Sequence, residues 1–169
     1  PMPKIIGIVT KKNHAEAKKL SHEIALFLKK KKISALFDHE HSIDTLIKRS
    51  AFLIVLGGDG TFLSAARRMI QKSIPILGVN MGQLGFLTEV KKSEVFDALK
   101  AALKNKLQIS ERTMLQCSLV RKGRQIQKAV VVNDVVVSRG AIARIFDMQV
   151  SVDKHLVTHI KADGLIIAS

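Results

Sequence analysis

The sequence predicts an α/β domain with a Rossmann-like parallel sheet over residues 1–105, followed by the first part of an all-β domain over residues 106–169. The first domain is predicted because continuous apolar strands alternate with amphipathic helices, and because two of the strands run into glycine-rich turns. The second is predicted because helical spacing of apolar residues gives way to β-branched runs beyond residue 105. The all-β domain is expected to be incomplete, since no closing turn follows its last apolar run and a sheet edge would stay exposed.

The first half of the chain predicts strands and helices in alternation. Strands are predicted at 4–10, 33–37, 51–56 and 75–79. Helices are predicted at about 13–31, 43–48 and 61–71, and from about 93 onward. Apolar residues of the first helix step by three and four, and lysines fill its other face. Asn13 and Glu16 resemble a capping box at its start, and Ser93 is expected to cap the last helix.

A glycine-rich turn, Gly57-Gly58-Asp59-Gly60-Thr61, ends the third predicted strand. Residues without a Cβ let the backbone approach a polar ligand, and the helix that follows offers unpaired N–H groups to a phosphate. Asp59 is either the N-cap of that helix or a general base placed where a substrate hydroxyl meets a nucleotide phosphate. A second glycine-rich segment, 78–85, follows the next strand. Both are expected to line one crevice, because ligands bind beyond the carboxyl ends of parallel strands.

The second half predicts β-structure with one unusual interruption. Strand-like runs are predicted at 107–120, 125–138, 144–152, 156–160 and 165–168, with a hairpin turn at 121–124. Asn133 and Asp134 interrupt a valine run, and burying such groups without partners costs about 2–7 kcal/mol or more. They are therefore expected either to bond the neighbouring backbone at a bulge or to project into an interdomain cleft and hydrogen-bond a ribose or a base.

Charge and composition favour small anionic partners, because the formal net charge is +14 while the chain has no Trp and no Tyr. Nucleic acid is not expected, since the lysines are scattered over helix positions and no aromatic stacking platform accompanies them. A membrane is not expected either, because no apolar run approaches the roughly eighteen residues of a span and the start of the chain lacks a signal peptide's apolar core. Cys117 is the only cysteine, which favours a reducing compartment, and a cytoplasmic location is expected.

Four segments of the chain resemble, in order, the motifs of the NAD kinase family. They are Gly57-Gly58-Asp59-Gly60-Thr61-Phe62-Leu63, Gly78-Val79-Asn80-Met81-Gly82-Gln83-Leu84-Gly85-Phe86-Leu87-Thr88, Asn133-Asp134 and Asp163-Gly164-Leu165-Ile166. Diacylglycerol kinases, sphingosine kinases and 6-phosphofructokinases carry a segment similar to the first. The second segment decides for NAD kinases, because its Asn-x-Gly-x-Leu-Gly-Phe-Leu pattern is peculiar to that family. Lipid kinases also differ after the first segment, where they usually place Asn-Glu and this chain has Phe62-Leu63-Ser64.

The resemblance implies transfer of the ATP γ-phosphoryl group to the 2′-hydroxyl of the adenosine ribose of NAD, giving NADP and ADP, with a divalent metal ion such as Mg²⁺ on the phosphates. Asp59 would accept the proton of that hydroxyl. Gly60 would lie against the dinucleotide, and Phe86 would flank the adenine part of the pocket.

The resemblance also assigns residues of the second half to NAD binding. Asn133 and Asp134 would take the place of the family's Asn-Glu pair, with an Asp one methylene shorter. Arg144 and Lys161 fall where family members place basic or imidazole side chains near the dinucleotide. Asp163 would contact the nicotinamide side.

Further expectations concern the whole protein. The resemblance implies a homo-oligomer, commonly a tetramer, and it assigns no metal ligand to the chain. Family members continue past Asp-Gly-Leu-Ile into a Pro-Thr-Gly-Ser-Thr-Ala-Tyr segment that lines the NAD pocket, so the isolated chain is expected to be weakly active or inactive. Two alternatives stay open, a dinucleotide-binding module without catalysis and a lipid kinase relative of the diacylglycerol type.

Overall fold

The chain folds into two compact units of different class. The computed structural model describes residues 3–70, 72–82, 85–138, 140 and 145–169. The first unit, Pro1–Glu111, is α/β, and the second, Arg112–Ser169, is built from antiparallel strands. The predicted fold class is therefore confirmed. The division falls after Glu111, in an exposed segment that follows the last helix of the first unit.

The first unit contains a five-stranded parallel sheet with the strand order β2-β1-β3-β4-β5. The strands are β1 Ile5–Thr10, β2 Ser34–Phe37, β3 Leu53–Gly57, β4 Ile76–Asn80 and β5 Val90–Lys91. The helices are α1 Ala15–Lys30, α2 Ile43–Arg49, α3 Asp59–Ala66 and α4 Val95–Leu103. The two-residue strand β5 was not predicted, because it is too short to show any hydrophobic period.

Helices cover both faces of this sheet, which explains why β3 is apolar at successive positions. Ile54 and Leu56 pack in one core cluster with residues of α1 and α4. Leu53 and Val55 pack in a second cluster with residues of α2 and α3. All four side chains are fully buried. Because β3 is buried on both faces, the residues that follow it have a fixed position at the carboxyl end of the strand.

Helix α1 does not begin as expected. Its N-cap is His14, whose Nδ1 accepts a hydrogen bond from the Ala17 amide at 3.2 Å. Asn13, the expected cap, has a left-handed φ of 54° and precedes the cap. Glu16 pairs with the Lys92 ammonium instead of closing a capping box. The prediction of Asn13 as the cap is wrong because an imidazole nitrogen takes the place of the expected amide oxygen.

Helix α4 also differs from the prediction at its start. A short 3₁₀ turn, Lys92–Glu94, precedes it and contains Ser93, so Ser93 does not cap the helix. The Glu94 carboxylate accepts a hydrogen bond from the Lys91 amide at 3.2 Å. This acidic side chain satisfies a backbone donor at the helix entrance, which explains why no serine cap is needed.

The second unit consists of three antiparallel pairs. These are β6 Leu115–Arg121 with β7 Arg124–Val131, β9 Phe146–Val152 with β10 His155–Ala162, and β8 Asp134–Ser138 with β11 Gly164–Ala168. The predicted hairpin turn at 121–124 is confirmed, since Lys122 and Gly123 have the positive φ values of 47° and 73° that a two-residue hairpin turn requires. The predicted run 125–138 is broken into β7 and β8, and residues 107–114 form no strand.

Within the described ranges, no helix is long and apolar enough to cross a membrane.

Candidate active site

The two glycine-rich loops of the first unit meet at one edge of its sheet. Strand β3 ends at Gly57, which lies opposite Asn80 at the end of the neighbouring strand β4. The Met81 amide donates a hydrogen bond to the Gly57 carbonyl oxygen at 3.1 Å. The loop after β3 and the loop after β4 therefore leave the sheet side by side, as expected for strands that run parallel.

Asp59 joins these two loops through its carboxylate. Its Oδ2 accepts a hydrogen bond from the Phe86 amide at 2.8 Å. Its Oδ1 accepts from the Leu87 amide at 3.0 Å, the Thr88 amide at 3.1 Å and the Thr88 hydroxyl at 3.2 Å. Asp59 is the first residue of α3, and the N-cap is Gly58. The alternative that Asp59 caps its own helix is therefore wrong, because its carboxylate binds a loop 27 to 29 residues further along the chain.

These contacts keep Asp59 ionised. Burial by itself raises the pKa of the carboxyl, but the hydrogen bonds from the amides of Phe86, Leu87 and Thr88 and from the Thr88 hydroxyl together lower the pKa below its ordinary value. At neutral pH the side chain is an anion with fixed orientation. Such a group accepts hydrogen bonds and stabilises nearby positive charge.

Two glycines make this approach possible. A Cβ at Gly85 would lie only 2.1 Å from Asp59 Oδ1, so the carboxylate occupies the space that any other residue would need. A Cβ at Gly78, within β4, would lie 3.1 Å from the Leu87 carbonyl oxygen and 3.2 Å from the Thr88 Cα. The second loop thus passes close over β4 and closes on Asp59 because both positions lack a side chain.

Asn80 and Thr88 are polar residues of this site to which the sequence analysis assigned no role. Both are buried, at 5% and 0% exposure, and the Asn80 Nδ2 donates to the Thr88 hydroxyl at 3.1 Å. The Asn80 Oδ1 accepts from the Gly82 amide at 2.7 Å. The sequence signal was present, because buried polar residues among glycines and apolar residues must find partners.

Gly60 and Phe86 are both predicted site residues. Gly60 follows Asp59 in the sequence, whereas Phe86 contacts it through a hydrogen bond from the second loop. Gly60 is exposed at the start of α3, and a Cβ there would meet no atom within 4 Å. Phe86 uses its amide to bind Asp59, while the residue as a whole is 77% exposed. Phe86 therefore offers an apolar surface beside the carboxylate.

A cavity of about 450 Å³ adjoins the second loop. It lies at the carboxyl ends of β4 and β5, and the described residues that line it are Asn80, Met81, Gly82, Lys91, Lys92 and Ser93. The ammonium of Lys92 also pairs with Glu16 of α1. Lys91 and Lys92 therefore bring two ammonium groups to the cavity, one of which is balanced by the Glu16 carboxylate.

Asn133 and Asp134 lie in the second unit, at the turn between β7 and β8. Both are exposed, and the Asn133 Nδ2 donates to the Asp134 Oδ2 at 2.8 Å. The expectation that they are buried in a valine run is wrong, because the run breaks at this point into two strands. Their side chains bond each other and not a bulged backbone, so they present a preformed polar pair.

Two more predicted residues of the second unit, Lys161 and Asp163, lie at the end of β10. Lys161 is exposed and its ammonium lies 3.8 Å from the Asp147 carboxylate on β9. Asp163 is an exposed residue in the bend between β10 and β11. Asp163 and Asp134 lie at opposite ends of the β8–β11 ladder, since Gly164 pairs with Ser138 and Ala168 with Asp134. Arg144 lies outside the described residues.

No cluster of three or more His, Cys, Asp or Glu side chains that could hold a metal ion occurs in the described part of the chain. Asp59 meets only backbone and hydroxyl donors among the contacts above.

Known proteins resemble this chain in sequence. Residues 38–107 match the ATP-NAD kinase N-terminal domain. The chain is 42% identical over 177 residues to the NAD kinase of Syntrophotalea carbinolica, with 98% of this chain and 62% of the relative covered. It is 48% identical over 126 residues to the NAD kinase of Geotalea daltonii, with 75% and 44% covered. The chain belongs to the NAD kinase family. The predicted resemblance is confirmed, and the alternative of a lipid kinase relative is set aside.

Solved structures of the NAD kinase family agree with the fold. Yeast NADH kinase complexed with NADH superimposes with a TM-score of 0.87 at 20% identity, covering 99% of this chain and 58% of that one. An NAD kinase from Archaeoglobus fulgidus in complex with ATP superimposes with a TM-score of 0.72 at 25% identity, covering 97% and 60%. This chain thus spans about three fifths of the length of these family members.

Proposed function

We propose that the protein is an ATP-dependent NAD kinase, which transfers the γ-phosphoryl group of ATP to the adenosine-ribose 2′-hydroxyl of NAD and releases NADP and ADP. The observation that supports this most directly is the Asp59 carboxylate, held by four hydrogen bonds where the two family motifs meet. Membership of the NAD kinase family supplies the substrates, and the geometry of Asp59 supplies the residue that handles the hydroxyl.

The chemistry asks for positioning more than for a strong base. Phosphoryl transfer passes through a loose transition state, in which the attacking hydroxyl needs orientation and its proton leaves late. A carboxylate with a lowered pKa is ionised at neutral pH, so Asp59 can accept a hydrogen bond from the 2′-hydroxyl and direct its oxygen toward the γ-phosphorus. It then takes up the proton as the new P–O bond forms.

The other predicted residues complete the proposal. Gly60 lies against the dinucleotide, and Phe86 offers its exposed ring to the adenine. The paired side chains of Asn133 and Asp134 hydrogen-bond NAD, and Asp163 contacts its nicotinamide side. Lys161 and Arg144 supply positive charge near the dinucleotide.

Magnesium enters this proposal as part of the ATP substrate. The ion is proposed to be held largely by the ATP phosphates and water. The protein is further proposed to be a cytoplasmic homo-oligomer, with a tetramer as the expected state. Neither nucleic acid nor a membrane is expected as a partner.

The direct test is NADP formation from NAD, ATP and Mg²⁺ by the full-length protein and by its Asp59→Asn variant. The wild type is expected to form NADP, and the variant is expected to lose at least about 100-fold of the rate, the range typical of a positioned acid–base group. Melting temperatures of both proteins must be compared, because the Asn –NH₂ cannot accept the hydrogen bond that the Phe86 amide donates to Asp59 Oδ2, and its loss can lower stability. The chain of residues 1–169 by itself is expected to show weak activity or none.

A dinucleotide-binding module without catalysis is the second candidate. The observation that favours it is the engagement of both Asp59 oxygens by the protein itself, which would suit a purely structural carboxylate. NAD binding by the wild type without any NADP formation, retained in a stable Asp59→Asn variant, would select this candidate over the kinase.

A further inference from the structure

A chain of hydrogen bonds leads from the second loop to Asp59. The Gly82 amide donates to Asn80 Oδ1 at 2.7 Å, Asn80 Nδ2 donates to Thr88 Oγ1 at 3.1 Å, and Thr88 Oγ1 donates to Asp59 Oδ1 at 3.2 Å. The two middle side chains are shielded from water, since Asn80 is 5% and Thr88 0% exposed. Water therefore does not compete for these bonds.

The chemistry of the groups fixes which partner donates in each of these three hydrogen bonds. A backbone N–H can only donate, so the oxygen of the Asn80 amide must face Gly82 and its –NH₂ must face Thr88. That –NH₂ also can only donate, so Thr88 receives it on the hydroxyl oxygen. The single hydroxyl hydrogen of Thr88 is then left for Asp59, which accepts it.

This arrangement treats the two oxygens of Asp59 unequally. Oδ1 accepts from the Leu87 amide, the Thr88 amide and the Thr88 hydroxyl, which exhausts its lone-pair directions. Oδ2 accepts only from the Phe86 amide among the described contacts, so one lone-pair direction remains for a further donor. The carboxylate is thus anchored through one oxygen and available through the other.

We infer that Thr88, oriented by Asn80, is a positioning residue that anchors Asp59 through Oδ1 and presents Oδ2 to the hydroxyl of the phosphoryl acceptor. This inference rests on the proposed function, since it names the oxygen that accepts the substrate proton. Thr88 itself does not touch the substrate. It acts by fixing the rotation of the carboxylate, and small rotations of a reacting group are costly to the rate.

The test compares Thr88→Val with Thr88→Ser in the full-length protein. Valine keeps the shape but removes the hydroxyl, and serine restores it. Thr88→Val is expected to lower kcat for NADP formation roughly 10- to 100-fold, the range for one hydrogen bond to a charged group. The KM for NAD is expected to stay within about threefold of the wild type, because the residue makes no substrate contact. Thr88→Ser is expected to restore kcat.

The pH profile separates positioning from general damage. Asp59 must be ionised to act, and the influences on its pKa are burial and the four hydrogen bonds from residues 86–88. Loss of the Thr88 hydroxyl removes one bond that lowers this pKa, so the acid limb of kcat/KM is expected to move to higher pH in Thr88→Val and to return in Thr88→Ser. A variant that merely lost active protein would keep the wild-type profile at reduced amplitude.

Two results would overturn the inference while leaving the proposed function intact. One is wild-type kcat and pH profile in Thr88→Val, and the other is a Thr88→Ser protein that behaves like Thr88→Val. If Thr88→Val does not fold, Thr88→Cys takes its place, because its weak S–H donor predicts a rate and an acid limb between those of wild type and Val. Absence of NADP formation by the wild type would instead refute the proposed function, and with it the assignment of Oδ2.

Discussion

Substituting Gly85 by alanine is expected to reduce the activity of the site strongly, although it removes no functional group. The added Cβ would lie 2.1 Å from Asp59 Oδ1, 2.7 Å from its Cγ and 2.9 Å from Oδ2. To restore an ordinary contact of 3.4 Å, the carboxylate or the loop backbone must move by about 1.3 Å. The bonds that Oδ1 accepts at 3.0 to 3.2 Å cannot survive a displacement of that size.

The expected cost follows from this displacement. A shift of about 1 Å in a positioned group reduces a rate roughly 100-fold, which corresponds to about 2.7 kcal/mol of activation free energy. The free energy of unfolding is expected to fall by about 1–3 kcal/mol, because hydrogen bonds to a partly exposed charge are lost and water replaces them incompletely. Steady-state NADP formation and urea denaturation of the full-length protein measure the two effects.

A double-variant cycle isolates the clash. In an Asp59→Ala background the obstructing carboxylate is absent, so Gly85→Ala is expected to cost almost nothing in unfolding free energy there. Gly82→Ala is a steric control for stability in the same loop, since its Cβ would meet no atom within 4 Å. Equal destabilisation by Gly85→Ala in both backgrounds would refute the close approach as its cause. So would a Gly85→Ala enzyme whose rate stays within threefold of the wild type.

Three further predictions concern other residues. Phe86→Ala keeps the amide that binds Asp59 but removes the ring of a residue that is 77% exposed. The KM for NAD is expected to rise about tenfold, as for loss of one base–aromatic stack, and an unchanged KM would contradict the assignment of this ring to the adenine. The pKa of the Asp59 carboxyl is lowered in the folded protein, so its ionised form stabilises the fold above the unfolded pKa of about 3.9, and this stabilisation is lost as pH falls through the folded pKa. The free energy of unfolding of the wild type is therefore expected to fall more steeply between about pH 5 and 2 than that of Asp59→Asn. Parallel curves of unfolding free energy against pH would contradict this. In α1, Ile24→Ala is expected to lower the free energy of unfolding by about 2–5 kcal/mol, because Ile24 is fully buried. Leu26→Ala, at a position that is 61% exposed, is expected to change it by less than about 0.5 kcal/mol. Similar losses in the two denaturation curves would show that burial does not determine the contribution of these residues.

The sheet of the first unit could be predicted because its longer strands are runs of apolar residues, as buried strands are. Leu53 to Leu56 are apolar at every position, as a strand covered on both faces requires, and the glycine turn marks where it ends. The same logic fails for β5, where two residues offer no period. It also fails at the start of α1, where His14 caps the helix although histidine is not among the preferred cap residues.

The candidate site could be predicted in position but not in its contacts. Asp59 stood out as a carboxylate in a glycine turn, yet its partners come from residues 86–88, and no local pattern connects the two segments. Two interpretations of Asp59 competed for this reason, and the N-cap interpretation was wrong. Asn133 and Asp134 were expected to be buried because a valine run predicts one continuous strand. The turn between β7 and β8 became visible only with the pairing of β8 to β11.

The convergence of three successive amides on Asp59 has a consequence for experiments that remove this residue. Phe86 donates its N–H to Oδ2, whereas the N–H groups of Leu87 and Thr88 and the Thr88 hydroxyl donate to Oδ1 of the same carboxylate. Without the carboxylate, this concave set of donors becomes an anion-binding nest. Formate or acetate from a buffer is expected to bind these donors, so the residual activity of an Asp59→Ala enzyme is expected to depend on the buffer anion. Chemical rescue by small carboxylates becomes possible, and kinetic comparisons of Asp59 variants belong in buffers free of such anions.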